Sequence, residues 1–369
     1  ASCSKDNNDI IDPTNVERTL LVYLAGDNNL SHEVKEMHDA LLKGWNHKTM
    51  GPLIIFADHK QSSPLLIKLE NRNGQNVSDT LRRYAIENSA SPQVLKQVIH
   101  DAQVVAPSDS YGMVLFSHAT GWLPEKAFVH PERWGVSSTS SVQIAPLSIF
   151  EDNGREMELA DFAEAIPDNM FEFMAFDMCF MASVETVYAL RNKTKYMVAA
   201  APEILAPGFT PLYSSSLGML YKEEPDLETF GNAFYNYFNG LQGQYQSAAI
   251  SVVHTAGIGN LAMFTQKITP KLAQLTQEQI DNIQYYDRSG NPHLFFDFGD
   301  YIKQVATQEE IDELESILSK VVLFKRNTPR LIDISIAKHS GLSVYIPQEA
   351  LPQLNQAYEE TEWWRAVNN

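Results

Sequence analysis

Cysteine is scarce: this chain of 369 residues has two, Cys3 in a polar N-terminal stretch and Cys179 in an apolar segment far away. Thiols so placed exclude a disulfide framework and the paired ligand spacing of a structural zinc site. Long apolar runs are missing too, none approaching the roughly 18 to 20 residues that cross a bilayer as a helix. Basic residues are outnumbered, 28 Lys and Arg against 46 Asp and Glu, for a formal charge of −18. That field repels a phosphate backbone and no basic patch offsets it, so nucleic acid is not an expected partner. No segment repeats at a fixed period, and 18 Gly with 18 Pro are ordinary shares, which excludes solenoids and collagen-like chains. Neither a Gly-x-Ser-x-Gly elbow, a Walker loop nor a paired histidine ligand motif occurs.

What remains is a globular chain, 44% hydrophobic, with short strand-like runs separated by amphipathic segments. Residues 1–16 are polar and read as a flexible tether. Strands are predicted at Thr19 to Ala25, Leu53 to Ala57, Pro64 to Leu69, Tyr111 to Phe116, Phe171 to Asp177, Tyr196 to Ala201, Ala248 to His254 and Gly341 to Ile346. Helices are predicted from Ser31, a candidate cap, to about Lys43; from Ser91-Pro92 to about Val104; and at Met157 to Ile166, Ala182 to Arg191 and Leu227 to Phe238. Two more span Ile258 to about Leu275 and Gln308 to about Leu323. Apolar strands alternating with helices mean an α/β fold with a largely parallel central sheet. Residues 17–256 are expected to hold the sheet core, and 257–369 to be mainly helical, returning one strand at 341–346.

In such sheets ligands bind beyond the carboxyl ends of the strands, where the loops diverge. Two predicted strands end in reactive side chains: Tyr111 to Phe116 runs into Ser117-His118, and Phe171 to Asp177 into Met178-Cys179. Neighbouring parallel strands would bring both to one edge. A thiol with an ordinary pKa of about 8.5 is mostly protonated at neutral pH, and an adjacent imidazole can accept its proton as it attacks a carbonyl. Each residue alone has a plainer reading, since buried Cys is common and a strand-end His is usually structural.

The surrounding motifs are more specific. Ser117-His118-Ala119-Thr120-Gly121-Trp122 is similar to the histidine motif of clostripain-like cysteine peptidases, and Phe176 to Glu185 (FDMCFMASVE) resembles their nucleophile motif. Further similar segments are Leu24 to Leu30 (LAGDNNL), Pro202-Glu203, Asp297 to Tyr301 (DFGDY) and Gly341 to Pro347 (GLSVYIP). The resemblance implies a caspase-like three-layer sandwich, a dyad of His118 and Cys179, and cleavage after Arg or Lys in protein or peptide substrates. It places backbone oxyanion donors at Ala119 and Cys179, and a carboxylate for the basic side chain at Asp177. Asp27, Asn28 and Asn29 lie on the same edge, as turn formers or on the rim of the site.

Two departures bear on activity. Relatives usually carry Gly where this chain has Ala119, and a positive φ there would be costly for a residue with a Cβ. Relatives also add an Asp after Pro207-Gly208, where this chain has Phe209, expected in the substrate pocket as an aromatic wall. The long Ser- and Thr-rich connection after Trp122 suggests self-cleavage, at Arg133 or else Lys126. No cofactor is implied; calcium stimulates some relatives, but Glu151, Asp152 and Glu158 lack a binding-loop spacing. Ala1-Ser2-Cys3 resembles what remains of a bacterial lipoprotein signal once its apolar core is removed, which implies acylation at Cys3 and export to an outer membrane, cell surface or periplasm. The rival readings are a weakened surface lipoprotein that binds peptides through the same cleft, and a cysteine-dependent acyltransferase or amidase.

Overall fold

In a computed structural model of the protein, residues 17–85, 88–125, 127, 149–152 and 155–369 are described. Cys3, Lys126 and Arg133 lie outside them. In chain order the first strands are β1 (Arg18–Gly26), β2 (Leu53–His59), β3 (Leu65–Arg72), β4 (Gln75–Arg83) and β5 (Ser110–Phe116). There follow β6 (Ile149–Asp152), β7 (Arg155–Met157), β8 (Phe171–Asp177), β9 (Thr194–Ala199) and β10 (Ala249–His254). The last are β11 (Phe296–Asp297), β12 (Val322–Asn327), β13 (Arg330–Leu331), β14 (Ile334–Ser335) and β15 (Ser343–Val344). The helices are α1 (Ser31–Gly44), α2 (Pro92–Val105), α3 (Leu159–Ala165), α4 (Val184–Leu190), α5 (Leu227–Asn239) and α6 (Ile258–Leu272). They continue with α7 (Gln277–Asp281), α8 (Phe298–Lys303), α9 (Gln308–Val321), α10 (Pro352–Tyr358) and α11 (Glu362–Asn368).

Nine strands form one sheet in the order β12-β10-β9-β8-β5-β1-β2-β3-β4. The five central strands, β9, β8, β5, β1 and β2, are parallel, and each edge ends in antiparallel pairs. Every side chain of β1 is buried, and they alternate between two cores: Leu21 and Tyr23 face one, Leu20, Val22 and Leu24 the other. Burial on both faces is why these strands read as continuous apolar runs rather than as alternating ones. Helices α1 and α5 cover one face with Val34, Met37, Leu41, Phe230 and Phe234. The other face carries α2, α3, α4 and α6, with α9, α10 and α11 in the same continuous core.

Several elements depart from expectation. Leu30, not Ser31, caps α1; the Asn28 Oδ1 accepts from the Leu30 N–H, and the Ser31 Oγ accepts from Lys60 N instead. The polar edge strand β4 escapes a search for apolar alternation because it has little to bury. At the opposite edge β12 begins where the helix was expected to finish, so it is residues 322–327 that the later part of the chain adds to the sheet. The run at 341–346 is buried, but only Ser343–Val344 forms a ladder, with β11 and apart from the main sheet. An apolar run reports burial; it does not guarantee a strand.

Candidate active site

Strand register builds the site. Phe116, the last residue of β5, lies opposite Leu24 of β1 on one side and Asp177, the last residue of β8, on the other. His118 and Cys179 each follow two residues later, so equal offsets from adjacent strand ends carry both to the carboxyl edge. The turn after β1 reaches the same edge, and its Asn29 Oδ1 lies 2.6 Å from the His118 Nε2. An amide oxygen only accepts, so Nε2 carries the proton and Nδ1 keeps the lone pair of a base. The Cys179 Sγ accepts from the Ile204 N–H at 3.4 Å and lies 3.9 Å from the Ile204 carbonyl oxygen.

His118, Cys179 and Asp177 line one cavity of about 250 Å³, closed on one side by Leu30 and Glu33 of the α1 start and on another by Glu203 to Gly208. Burial controls its electrostatics. It lowers His118 to a pKa of about 4, so the imidazole is neutral at physiological pH. It pushes the Cys179 thiol up to about 12, with the negative charge of Glu203 adding to the effect. The cavity therefore holds a neutral thiol and a neutral imidazole, not a preformed thiolate–imidazolium pair. Burial also raises Asp177 to about 7, opposed by the Phe209 N–H that donates to its Oδ2 at 2.9 Å. Gly208 has φ +60, and a Cβ there would fall 2.2 Å from the Asp177 Oδ1, so the carboxyl rests directly on the glycine backbone.

Other residues singled out in the sequence fall differently. Ala119 is buried, and the left-handed non-glycine residues among those described are Gln61, Asn73, Asn169, Phe180 and Ile332. Alanine thus meets no conformational obstacle at 119; the positive φ of this motif belongs to Gly121, at +60. The residue after the nucleophile, Phe180, is itself left-handed at φ +59 and stacks on Phe295 at 4.3 Å. Phe209 is a correction: its ring is fully buried against Phe230 and Phe234 in the core beneath α5, and it contributes a backbone N–H rather than an aromatic wall. Asp27 and Asn28 serve the turn, accepting from Gln61 N and Leu30 N. Asp152 is buried and accepts from the Ser89 N–H, while Glu158 accepts from Glu125 N.

Sequence reasoning placed Asn29 on this edge with Asp27 and Asn28 but missed it as the partner of the histidine. It also missed Arg288, which ion-pairs with Glu203 at 3.0 Å on the cavity wall. No local pattern announces that pair, because the two residues come from distant loops.

The chain matches the clostripain family over residues 22–363. Among solved structures, an inactive zymogen C11 protease from Parabacteroides distasonis is 31% identical, with a TM-score of 0.81 over 97% of this chain and all of that one. A secreted C11 cysteine protease from Bacteroides thetaiotaomicron, solved with an irreversible peptide inhibitor, is 25% identical, with a TM-score of 0.78 over 95% of this chain and 99% of that one. No curated protein matches.

Proposed function

The chain belongs to the clostripain family, and from that premise we propose that this cysteine peptidase of caspase-like fold works through a dyad of Cys179 and His118 and cuts after Arg or Lys. The observation that carries the reading is the convergence of the thiol and a neutral imidazole on one cavity whose wall includes a buried carboxyl. As the Cys179 sulfur bonds to the substrate carbonyl carbon, the His118 Nδ1 takes the thiol proton. The resulting oxyanion accepts from the backbone N–H groups of Ala119 and Cys179. The imidazolium then protonates the leaving amine as the C–N bond breaks, leaving a thioester. Water attacks the thioester, His118 takes its proton and returns one to sulfur, and the new carboxylic acid departs. Asp177 receives the basic side chain; arrival of a cation favours loss of its proton, so the pair forms with its charge in a desolvated place.

Cys179→Ala is expected to abolish hydrolysis of Arg and Lys peptides and labelling by an electrophilic peptidyl probe, with an unchanged melting temperature. Hydrolysis that survives this change would sink the dyad. Precursor processing belongs to the same reading, supported by the relative described as an inactive zymogen. A self-cut after Arg133 or Lys126 should then be absent from Cys179→Ala. Export is likewise proposed, on the secreted relative, with acylation of Cys3 as the anchor.

A further inference from the structure

Three carboxyl groups line the cavity, on Glu33, Asp177 and Glu203, and they are not equivalent. Glu203 is matched by Arg288, whose Nε lies 3.0 Å from its Oε2 and whose Nη2 lies 3.4 Å from its Oε1. Asp177 has one oxygen occupied by the Phe209 N–H. Glu33 reaches in from the first turn of α1, and its Oε2 is shielded from solvent without a hydrogen-bond partner among the described residues. A solvent-shielded carboxylate oxygen with nothing to accept from is costly, and a donor that arrives with the substrate removes the cost.

Phe209, the residue after Gly208, packs into the core and brings no charge to the cavity. We propose that Glu33 supplies the second carboxylate for the substrate's basic side chain, acting opposite Asp177 and setting the preference for Arg and Lys over uncharged residues. This rests on the assignment of this cavity to the residue preceding the cut bond. A guanidinium suits the arrangement, because its donors point along several directions in one plane and can satisfy two carboxyl groups at once.

The test is Glu33→Gln, which keeps the shape and removes the charge, assayed on peptides that differ only in the residue before the cut: Arg, Lys, Leu and Met. For Arg and Lys, kcat/KM should fall by roughly 10- to 100-fold, the worth of a hydrogen bond to a charged group. Most of that fall should appear in KM. The Leu and Met peptides should stay within about twofold of wild type, a contrast that a purely structural role of Glu33 would not produce. Alkylation of Cys179 by iodoacetamide at the wild-type rate checks that the site is intact. If wild type prefers Arg and Lys but Glu33→Gln leaves the Arg-to-Leu ratio unchanged, or lowers all four substrates equally, the role of Glu33 is overturned and the cavity assignment stands. A wild-type enzyme with no preference for basic residues would overturn the cavity assignment itself.

Discussion

At the scale of the residue, the 2.6 Å contact with the Asn29 Oδ1 holds the His118 ring in one orientation with the proton on Nε2. On the proposed mechanism, loss of that contact lets the ring rotate or change tautomer, so Nδ1 is no longer held as the base. Asn29→Ala should therefore lower kcat by roughly 10- to 100-fold, less than the roughly 100- to 10,000-fold that general acid–base catalysis contributes in full, because the imidazole itself remains. Asn29→Asp should retain more activity than Asn29→Ala, because its carboxylate still accepts from Nε2; kinetics of both variants against wild type check this, and equal losses would leave Asn29 a mere turn former. The strand ends made His118 and Cys179 candidates for base and nucleophile, the motifs around them made that proposal specific, and the register of β5 and β8 brings both to one cavity. The contact of Asn29 with the histidine was hidden because an Asn in a turn has a sufficient local explanation. Phe209 was misplaced because the chain turns sharply at Gly208, sending the next side chain under the sheet while its N–H stays at Asp177. Sequence adjacency to a pocket does not decide which half of a residue, backbone or side chain, faces it.

At the scale of the element, the central parallel strands were the most legible part of the fold, since burial on both faces leaves an unbroken apolar run. The edges were the least. Strand β4 is polar, and what fixes it is its turn: Asn73 and Gly74 both have positive φ, at +55 and +80, the backbone that suits a two-residue hairpin connection. The Asn-Gly pair was the signal that could have found it. A Cβ at Gly74 would meet nothing within 4 Å, so Gly74→Ala should cost only the conformational penalty, about 1 kcal/mol. Denaturant titration should show that loss with peptidase activity unchanged, because the hairpin lies four strands from Cys179.

At the scale of the whole molecule, Glu185 of α4 ties the core on one face of the sheet to the later part of the chain. Its Oε1 accepts from the Tyr345 N–H and the Tyr358 hydroxyl, each at 2.8 Å, while its Oε2 has no partner among the described residues. Burial raises this carboxyl from an ordinary 4.5 to about 7. Since the folded state holds the proton more tightly than the unfolded one, the contribution to stability is full below about pH 4.5 and is lost as pH rises to about 7. Glu185→Gln keeps both accepted bonds and escapes the titration. Relative to wild type it should gain on the order of 3 kcal/mol between pH 4.5 and pH 8, read from paired thermal melts; a constant difference across that range would contradict the assignment. The closing consequence comes from the ladder between β5 and β8. It lies in the middle of the sheet, joins the strands that carry His118 and Cys179, and is the junction between everything before residue 126 and everything after residue 148 in the central sheet. A single cut in that interval would turn the molecule into a two-chain assembly in which His118 and Cys179 come from different chains. Refolding would then become bimolecular, and the stability of the cut form would depend on protein concentration where that of the uncut form does not.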